Sequence, residues 1–342
     1  MNNNEPNTND RLYEHHNFNV DKQQSLLRID KFLIDKIPGT SRSKIQDGIQ
    51  NGYVKVNKSI IKQNYKVKPL DKISVSLPAP PRNEDITPEK ININITYEDD
   101  DLLLVNKKAG MVVHPSYNNW TGTLVNGLVY YFNNLPIMPN NDGRPGLVHR
   151  IDKDTSGLLV IAKNEKSMTS LAKQFFNHSI ERKYIALVWG EPKKKEGTID
   201  VNLGRSIKDR RVVCAYTENN KGKKAITHYK VIESFYYVSV VECQLETGRT
   251  HQIRAHMKHI GHPIFNDKVY GGNKILKGTV FSKYKKFIEN CFNIIPRQAL
   301  HAKSLGFIHP ESKKKINFES SLPKDLSTVI AKWKKYTAGQ KD

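Results

Sequence analysis

The stretch Gly146-Leu-Val-His149-Arg150-Ile-Asp152-Lys-Asp154-Thr155-Ser156-Gly157, continuing to Lys163, is the part of the chain richest in groups that could do chemistry. Asp152, Asp154, Ser156 and Gly157 match the first half of a calcium loop, where alternate residues turn oxygen ligands inward. The twelfth position, however, is Lys163 where such a loop needs Glu, and an apolar strand-like run follows instead of a helix. Calcium is therefore not expected. A tight turn before a strand accounts for Asp154, Ser156 and Gly157, because Asp and Ser side chains bond to nearby backbone and Gly accepts unusual dihedrals. It leaves unexplained why His149 and Arg150 stand beside them.

Other chemistries lack their motifs. The sequence has neither a G-x-x-x-x-G-K-[ST] loop nor a G-x-G-x-x-G fingerprint, so no nucleotide cofactor is expected. H-E-x-x-H is absent too. His251, His256, His259 and His262 cluster, but 251/256 is not a ligand spacing on one helix face, so helix-surface or phosphate-facing histidines are expected rather than a metal site. The three cysteines, Cys214, Cys243 and Cys291, form no C-x-x-C pair. Neither a disulfide framework nor zinc is indicated, and a reducing cytoplasm is the expected compartment.

Positioning these residues takes two folded parts. Residues 1–24 are polar and Asn-rich and read as a disordered tail. Residues 25–77 read as a small domain. Ile29, Phe32, Leu33 and Ile37 share a helical face that Pro38-Gly39 stops; Thr40 or Ser41 can cap a second helix carrying Ile45 and Ile49, ended by Gly52. Tyr53 to Asn57 and Lys72 to Leu77 alternate as strands. Arg42 and Lys44 at the start of the second helix add charge to a helix N-terminus, a combination suited to phosphate. A Pro-rich linker spans 78–90. Residues 91–336 read as one large domain, with 337–342 a tail. Strands are expected at Leu102–Val105, Leu158–Ala162, Tyr184–Trp189, Val238–Leu245 and Ile316–Phe318, with a helix between Asn164 and His178. A second helix is expected to be capped by Thr250 and ended by Gly261. Lys221 to Lys224 reads as a mobile loop. Without regular β-α alternation, this is an α+β domain on a large, mainly antiparallel sheet.

Net charge is +21, which suits a polyanionic partner, since lysines and arginines that neutralise phosphates release counterions. Runs such as Lys193 to Lys195 and Lys313 to Lys315 read equally well as a surface lysine bias. No apolar run approaches the roughly 18 residues of a membrane span, no strongly amphipathic basic helix stands out, and the first residues lack a signal-peptide pattern. Membrane association is not expected.

His149-Arg150-Ile151-Asp152 with Thr155-Ser156-Gly157 resembles the signature of the RluA/RluD family of ribosomal RNA pseudouridine synthases. Further likenesses follow in that family's order: Arg182-Lys183-Tyr184-Ile-Ala, then Leu245-Glu-Thr-Gly-Arg249-Thr-His251-Gln-Ile-Arg254-Ala-His256, then Gly261-His-Pro-Ile, Arg297-Gln-Ala-Leu-His301-Ala and Phe307-Ile-His-Pro310. Leu27 to Leu33, Ser41-Arg42-Ser43 and Val54 to Asn57 resemble the RNA-binding domain named after small-subunit ribosomal protein four. The likeness covers nearly all of the chain after residue 25. Four departures stand out: Ile151 for a usual Leu, Lys108 for Pro, and Asn266 and Leu70 for Gly, the last two bearing on loop shape.

The resemblance implies isomerisation of uridine to pseudouridine in structured RNA, most simply 23S ribosomal RNA. Uracil is detached, turned and rejoined through carbon, so no redox cofactor or nucleotide is required. It implies that Asp152 acts at the sugar–base bond as nucleophile or base. Arg150 fills the space left by the flipped base, Tyr184 packs on the uracil and moves a proton, and Arg254 pairs with Asp152, with a fork able to grip both carboxylate oxygens. Arg249, His251 and His256 remain candidates for RNA or structural contacts. A monomer is expected. A transfer RNA substrate, a non-catalytic RNA-binding or ribosome-assembly factor, and an RNA N-glycosylase are the other readings.

Overall fold

The computed structural model describes residues 12–37, 40–77, 86–116, 119–133, 135–137, 144–206, 209, 212–218, 221–279 and 281–338. The chain divides into two compact units, Met1–Glu84 and Asp85–Asp342.

The first unit contains β1 (Tyr13–Asn19), β2 (Leu27–Arg28), α1 (Ile29–Lys36), α2 (Arg42–Gln50), β3 (Val54–Val56), β4 (Ser59–Ile60), β5 (Lys66–Val67) and β6 (Lys72–Leu77). Its main sheet runs β1-β6-β3-β4. Ile29, Phe32 and Leu33 of α1 meet Ile45 and Ile49 of α2 in one apolar core, as their spacing predicts. Ser41, not Thr40, caps α2, its side chain accepting from the Lys44 N–H. The chain reverses at Asn57 and Lys58, both with positive φ (50° and 69°).

Residues 13–19, expected in a disordered tail, instead form β1, paired antiparallel with β6 from Tyr13↔Leu77 to Asn19↔Lys72. The strand is held by main-chain bonds and by Phe18 against the core, and composition registers neither. Leu70 keeps a left-handed backbone, φ 66°, although its side chain gains little, being 62% exposed.

The second unit contains β7 (Ile95–Glu98), β8 (Leu102–Lys107), α3 (Leu124–Tyr131), β9 (Ser156–Ala162), α4 (Glu165–Phe176), β10 (Glu181–Trp189), β11 (Glu196–Asp200), β12 (Asn202–Arg205), β13 (Val213–Tyr216), β14 (Ile226–Ser234), β15 (Val238–Leu245), α5 (Gln252–His259), α6 (Ser282–Ile294), β16 (Leu300–Ile308), β17 (Lys315–Glu319) and α7 (Lys324–Ala338). The large sheet runs β11-β14-β15-β10-β16-β9-β8-β7, with β17 also on β16. Every pairing in it is antiparallel except β16 with β9, which meet over His301↔Ser156 and Ala302↔Gly157. This is the mixed, mainly antiparallel sheet that the sequence predicts.

Both faces of its centre are covered. Leu159 and Ile161 of β9 pack in a core shared with α3, α5, α6 and α7, while Leu158, Val160 and Ala162 pack with Met168 and Leu171 of α4. A strand covered on both sides reads as an unbroken apolar run, as 158–162 does.

Three expectations need correction. Thr250 does not cap α5: His251 takes the N-cap place with a left-handed backbone, φ 53°, and no side-chain cap bond. Gln252 organises the entry instead, its Oε1 accepting from the Arg249 N–H and the Thr247 hydroxyl. Lys223, placed in a mobile loop, exchanges main-chain bonds with Leu203. Thr87 and Glu89, placed in the linker, are bonded to Asn126 and Gly122 around the start of α3.

Candidate active site

The turn from His149 to Ser156 is fastened at almost every residue. Lys107, buried at the end of β8, donates to the carbonyls of Lys108, Met111 and Lys153, all at 2.8 Å. Burial pulls its pKa down to about 7, with Asp154 opposing. The Gly110 N–H reaches the same Lys153 carbonyl. Arg297 donates to the Asp154 carbonyl (3.0 Å) and the Ser156 hydroxyl (3.3 Å), while its Nε and Nη2 grip Asp325 at the start of α7. Gln298 donates to Thr155, and His301 bridges Ser156 and Ser320. Gly157 must be glycine: a Cβ there would stand 2.2 Å from the Ala302 carbonyl oxygen, at the parallel crossing of β9 and β16.

His149 anchors the other end. Past Gly157, β9 loses β16 as a partner, and His149 Nε2 accepts the Val160 N–H at 3.1 Å. The ring stacks on Phe175, centroids 4.5 Å apart. Accepting at Nε2 requires the neutral ring, and burial pushes its pKa down to about 3. The signature histidine is thus a brace.

Asp152 opens onto a cavity of about 530 Å³ lined also by Arg150, Tyr184, Arg249, His251 and Arg254. One Asp152 oxygen accepts from Arg254 Nη1 at 2.9 Å, and its side chain stays 21% exposed. Arg254 comes from α5, in the middle of a buried run. Its two-point grip falls elsewhere: Nε and Nη2 hold both oxygens of the buried Asp267, at 2.7 and 2.9 Å. Burial opposes the Arg254 charge, and Asp267 and then Asp152 more than restore it, raising its pKa. Asp267 also accepts the N–H groups of Val269 and Tyr270, and the Tyr270 ring lies under the Arg254 guanidinium, 5.1 Å to the centroid. His251 stands 3.8 Å from Asp152 and bonds to the Tyr270 hydroxyl. Burial lowers its pKa, against the pull of Asp152.

Tyr184 projects from β10 between β15 and β16. Burial raises the pKa of its hydroxyl; Arg182 acts against this and Asp152 adds to it. Arg150 is exposed at the cavity wall, and Arg249 is exposed with Nε on the Lys224 carbonyl. His256 is buried and bonded to Thr227 and Val201. Arg42 and Lys44 belong to the first unit. Arg42 is half exposed and grips Asp30, which also receives Arg28 and Gln46. Burial would raise the Asp30 pKa, but these partners hold it far below the carboxylate range. Lys44 is exposed at the first turn of α2.

Asp267, Tyr270, Lys107 and Asp325 were not singled out from sequence. Among the described residues, His251, His256, His259 and His262 belong to no group of three possible metal ligands. Among the described residues Asp99, Asp101 and His309 do converge, but Asp99 already accepts from Tyr97, His309 and two backbone N–H groups, and Asp101 accepts from Asn164 and Ser167. It reads as a hydrogen-bonded knot joining the β7–β8 turn to the end of β16.

A two-sided sheet whose central turn presents a charge-paired carboxylate to an open cavity lined by Arg150, Arg182, Arg249 and Arg254 is an arrangement able to bind an anionic substrate and act on it with the carboxylate. Residues 101–259 match the RNA pseudouridylate synthase family and residues 27–73 the S4 domain. An uncharacterized RNA pseudouridine synthase of Chlorobaculum parvum is 44% identical over 92% of this chain and 96% of its own. One from Bacillus subtilis is 45% identical over the same shares. The ribosomal large subunit pseudouridine synthase D of Zymomonas mobilis is 42% identical over 89% of this chain and 92% of its own. Human RNA pseudouridylate synthase domain containing 4 has the same fold, with a TM-score of 0.53 at 22% identity over 70% of this chain and 93% of that one. The chain belongs to the RluA/RluD family of RNA pseudouridine synthases, with an S4 domain ahead of the catalytic domain.

Proposed function

We propose that this enzyme isomerises uridines of large-subunit ribosomal RNA, on a base flipped into the cavity, with Asp152 acting at the sugar–base bond. The observation that carries the chemistry is the setting of Asp152: a carboxylate on a fastened turn, held at one oxygen by Arg254 and open to the cavity beside Tyr184. The C1′–N1 bond breaks, uracil turns, and a C1′–C5 bond forms; the proton leaving C5 is balanced by one gained at N1. Asp152 serves either by bonding to the ribose or by taking a proton from it. Arg254 keeps it aimed, while Asp267 keeps Arg254 aimed.

A cavity of this size takes a single nucleotide, so the target base must leave its stack, and Arg150 at the wall is placed to fill the gap. Tyr184 offers a flat ring for the uracil and a hydroxyl for the closing proton transfer. The S4 unit adds phosphate contacts through Lys44 and the free side of Arg42. Ribosomal RNA is favoured because relatives from Zymomonas mobilis and Neisseria meningitidis are named as ribosomal large subunit enzymes. Cytoplasmic action follows from that reading, and action as a monomer is proposed with it. Pseudouridine mapping in cells lacking the protein, and in cells carrying Asp152→Asn, tests it. Loss of specific sites in 23S RNA in both strains is expected; loss confined to transfer RNA would redirect the substrate.

A further inference from the structure

Among the described residues, Arg182 is a buried cation with no acidic partner. It sits on β10 at 6% exposure and lines the cavity. Nη2 donates to the Glu246 carbonyl at 2.9 Å, and Nε is buried with no hydrogen-bond partner. Its guanidinium lies over Phe175, 5.5 Å to the centroid. Gly248 leaves it room, since a Cβ there would come within 2.7 Å of Nη1. The other two buried site arginines differ: Arg254 and Arg297 each grip a carboxylate with two nitrogens. The ionisable neighbours of Arg182 are the Tyr184 hydroxyl and the neutral His149 ring, and neither supplies a negative charge. A charge taken out of water and left unpaired is costly, so it must be compensated when the site is in use.

What arrives there follows from geometry. Arg182 and Tyr184 are two apart on one strand and so share a face. Asp152, Tyr184 and Arg182 all line the one cavity. A uracil packed on Tyr184 with its ribose toward Asp152 would turn its carbonyl edge toward Arg182.

We propose that Arg182 is a further catalytic residue, holding the negative charge that uracil acquires when its bond to ribose breaks. The electron pair of the C1′–N1 bond leaves with N1 and spreads onto O2 and O4, while the ribose is satisfied through Asp152. The charge disappears again when C5 rejoins C1′ and the proton lost from C5 is balanced at N1. A carboxylate fixed beside Arg182 would cancel this effect, which accounts for its absence. Because the charge exists only in the cleaved state, Arg182 speeds the step without tightening RNA binding. The proposal rests on reading the cavity as the uridine site.

The test uses the full chain as wild type, Arg182→Gln, Arg182→Lys and Gly248→Ala, the last crowding Nη1 while keeping the arginine. Each is assayed under single-turnover conditions on one short RNA carrying uridine or 5-fluorouridine at the target. Fluorine makes the departing base a weaker base, so it needs less help; because it also replaces the C5 proton that must leave at the end, the readout on both RNAs is disappearance of the starting nucleoside. Arg182→Gln should slow uridine consumption by about 10²–10³-fold, with RNA affinity within about threefold of wild type. On 5-fluorouridine the loss should be at least about tenfold smaller, with Arg182→Lys and Gly248→Ala between wild type and Arg182→Gln. The ratio of the two substrates is internal to each variant, so partial misfolding cancels. Equal losses on both substrates overturn the proposal, as does a defect in affinity with a shallower salt dependence, which marks a phosphate contact. If wild type itself converts no uridine in any RNA, the reading of the cavity falls, and this proposal with it. If wild type is active and the Arg182 variants match it, only the proposal falls.

Discussion

Exchanging Asp152 for Asn keeps the shape of the side chain and removes its charge. Turnover should fall by more than about a thousandfold, comparable with losing an essential catalytic group, while RNA affinity stays unchanged. Single-turnover kinetics beside a binding titration decide it; turnover within about tenfold of wild type would remove Asp152 from the chemistry. The Arg254 fork leads to a second expectation. Asp267 does not line the cavity, yet it fixes the angle at which Arg254 meets Asp152. Asp267→Asn should therefore lower turnover by about 10–100-fold, the scale of a small misplacement, with little change in affinity. Combined with Arg254→Lys it should add almost nothing, because the two act as one unit. Multiplying effects would show that they act separately. Asp152, Tyr184 and Arg254 could be found in the sequence because each lies in a long motif. Asp267 could not, since choosing which carboxylate faces which prong of a guanidinium is a tertiary decision with no local signature.

The turn around Asp152 makes stability depend on pH. His149 and His301 have pKa values lowered by burial to about 3 and about 4, against 6.5 in an unfolded chain. Below pH 6.5 the unfolded chain takes up protons that the folded one refuses. Stability should thus be full above 6.5 and fall as pH drops toward 4, by roughly 1 kcal/mol per pH unit per histidine. This window lies above that of Asp99, whose pKa of about 2 reflects hydrogen bonds that outweigh its burial. Urea titrations at several pH values should show a shallower slope in His301→Gln; an unchanged slope would mean that His301 titrates normally. In the first unit, Leu70→Gly should raise stability by about 0.5–1 kcal/mol by relieving a left-handed backbone, net of glycine's entropy. A thermal melt checks it. Apolar periodicity revealed β8, β9, β10, β15, α4 and the body of α5, but not α3, α6 or α7. It missed β1, whose pairing is by main chain, and misplaced the entry of α5, which depends on a glutamine reaching across to β14.

Two separate cores make the S4 unit removable in principle. Deleting residues 1–84 should weaken RNA binding and flatten its salt dependence, while turnover at saturating RNA persists. An unchanged salt slope would show that this unit does not touch phosphate. The net charge of +21 pointed toward a polyanion but left lysine bias as an equal explanation, and the fold alone could not have chosen between them.

The fastening of the Asp152 turn also sets an order of events during synthesis. Asp152 meets Arg254 across 102 positions, the Asp154 carbonyl meets Arg297 across 143, and Arg297 waits a further 28 for Asp325. The S4 unit has all its partners early and is free to fold while the remainder is still being made. The catalytic centre is completed only when α7 arrives. A nascent chain would therefore engage RNA before it can modify it, and a frameshift or early stop upstream of Asp325 would release a binder without a working active site.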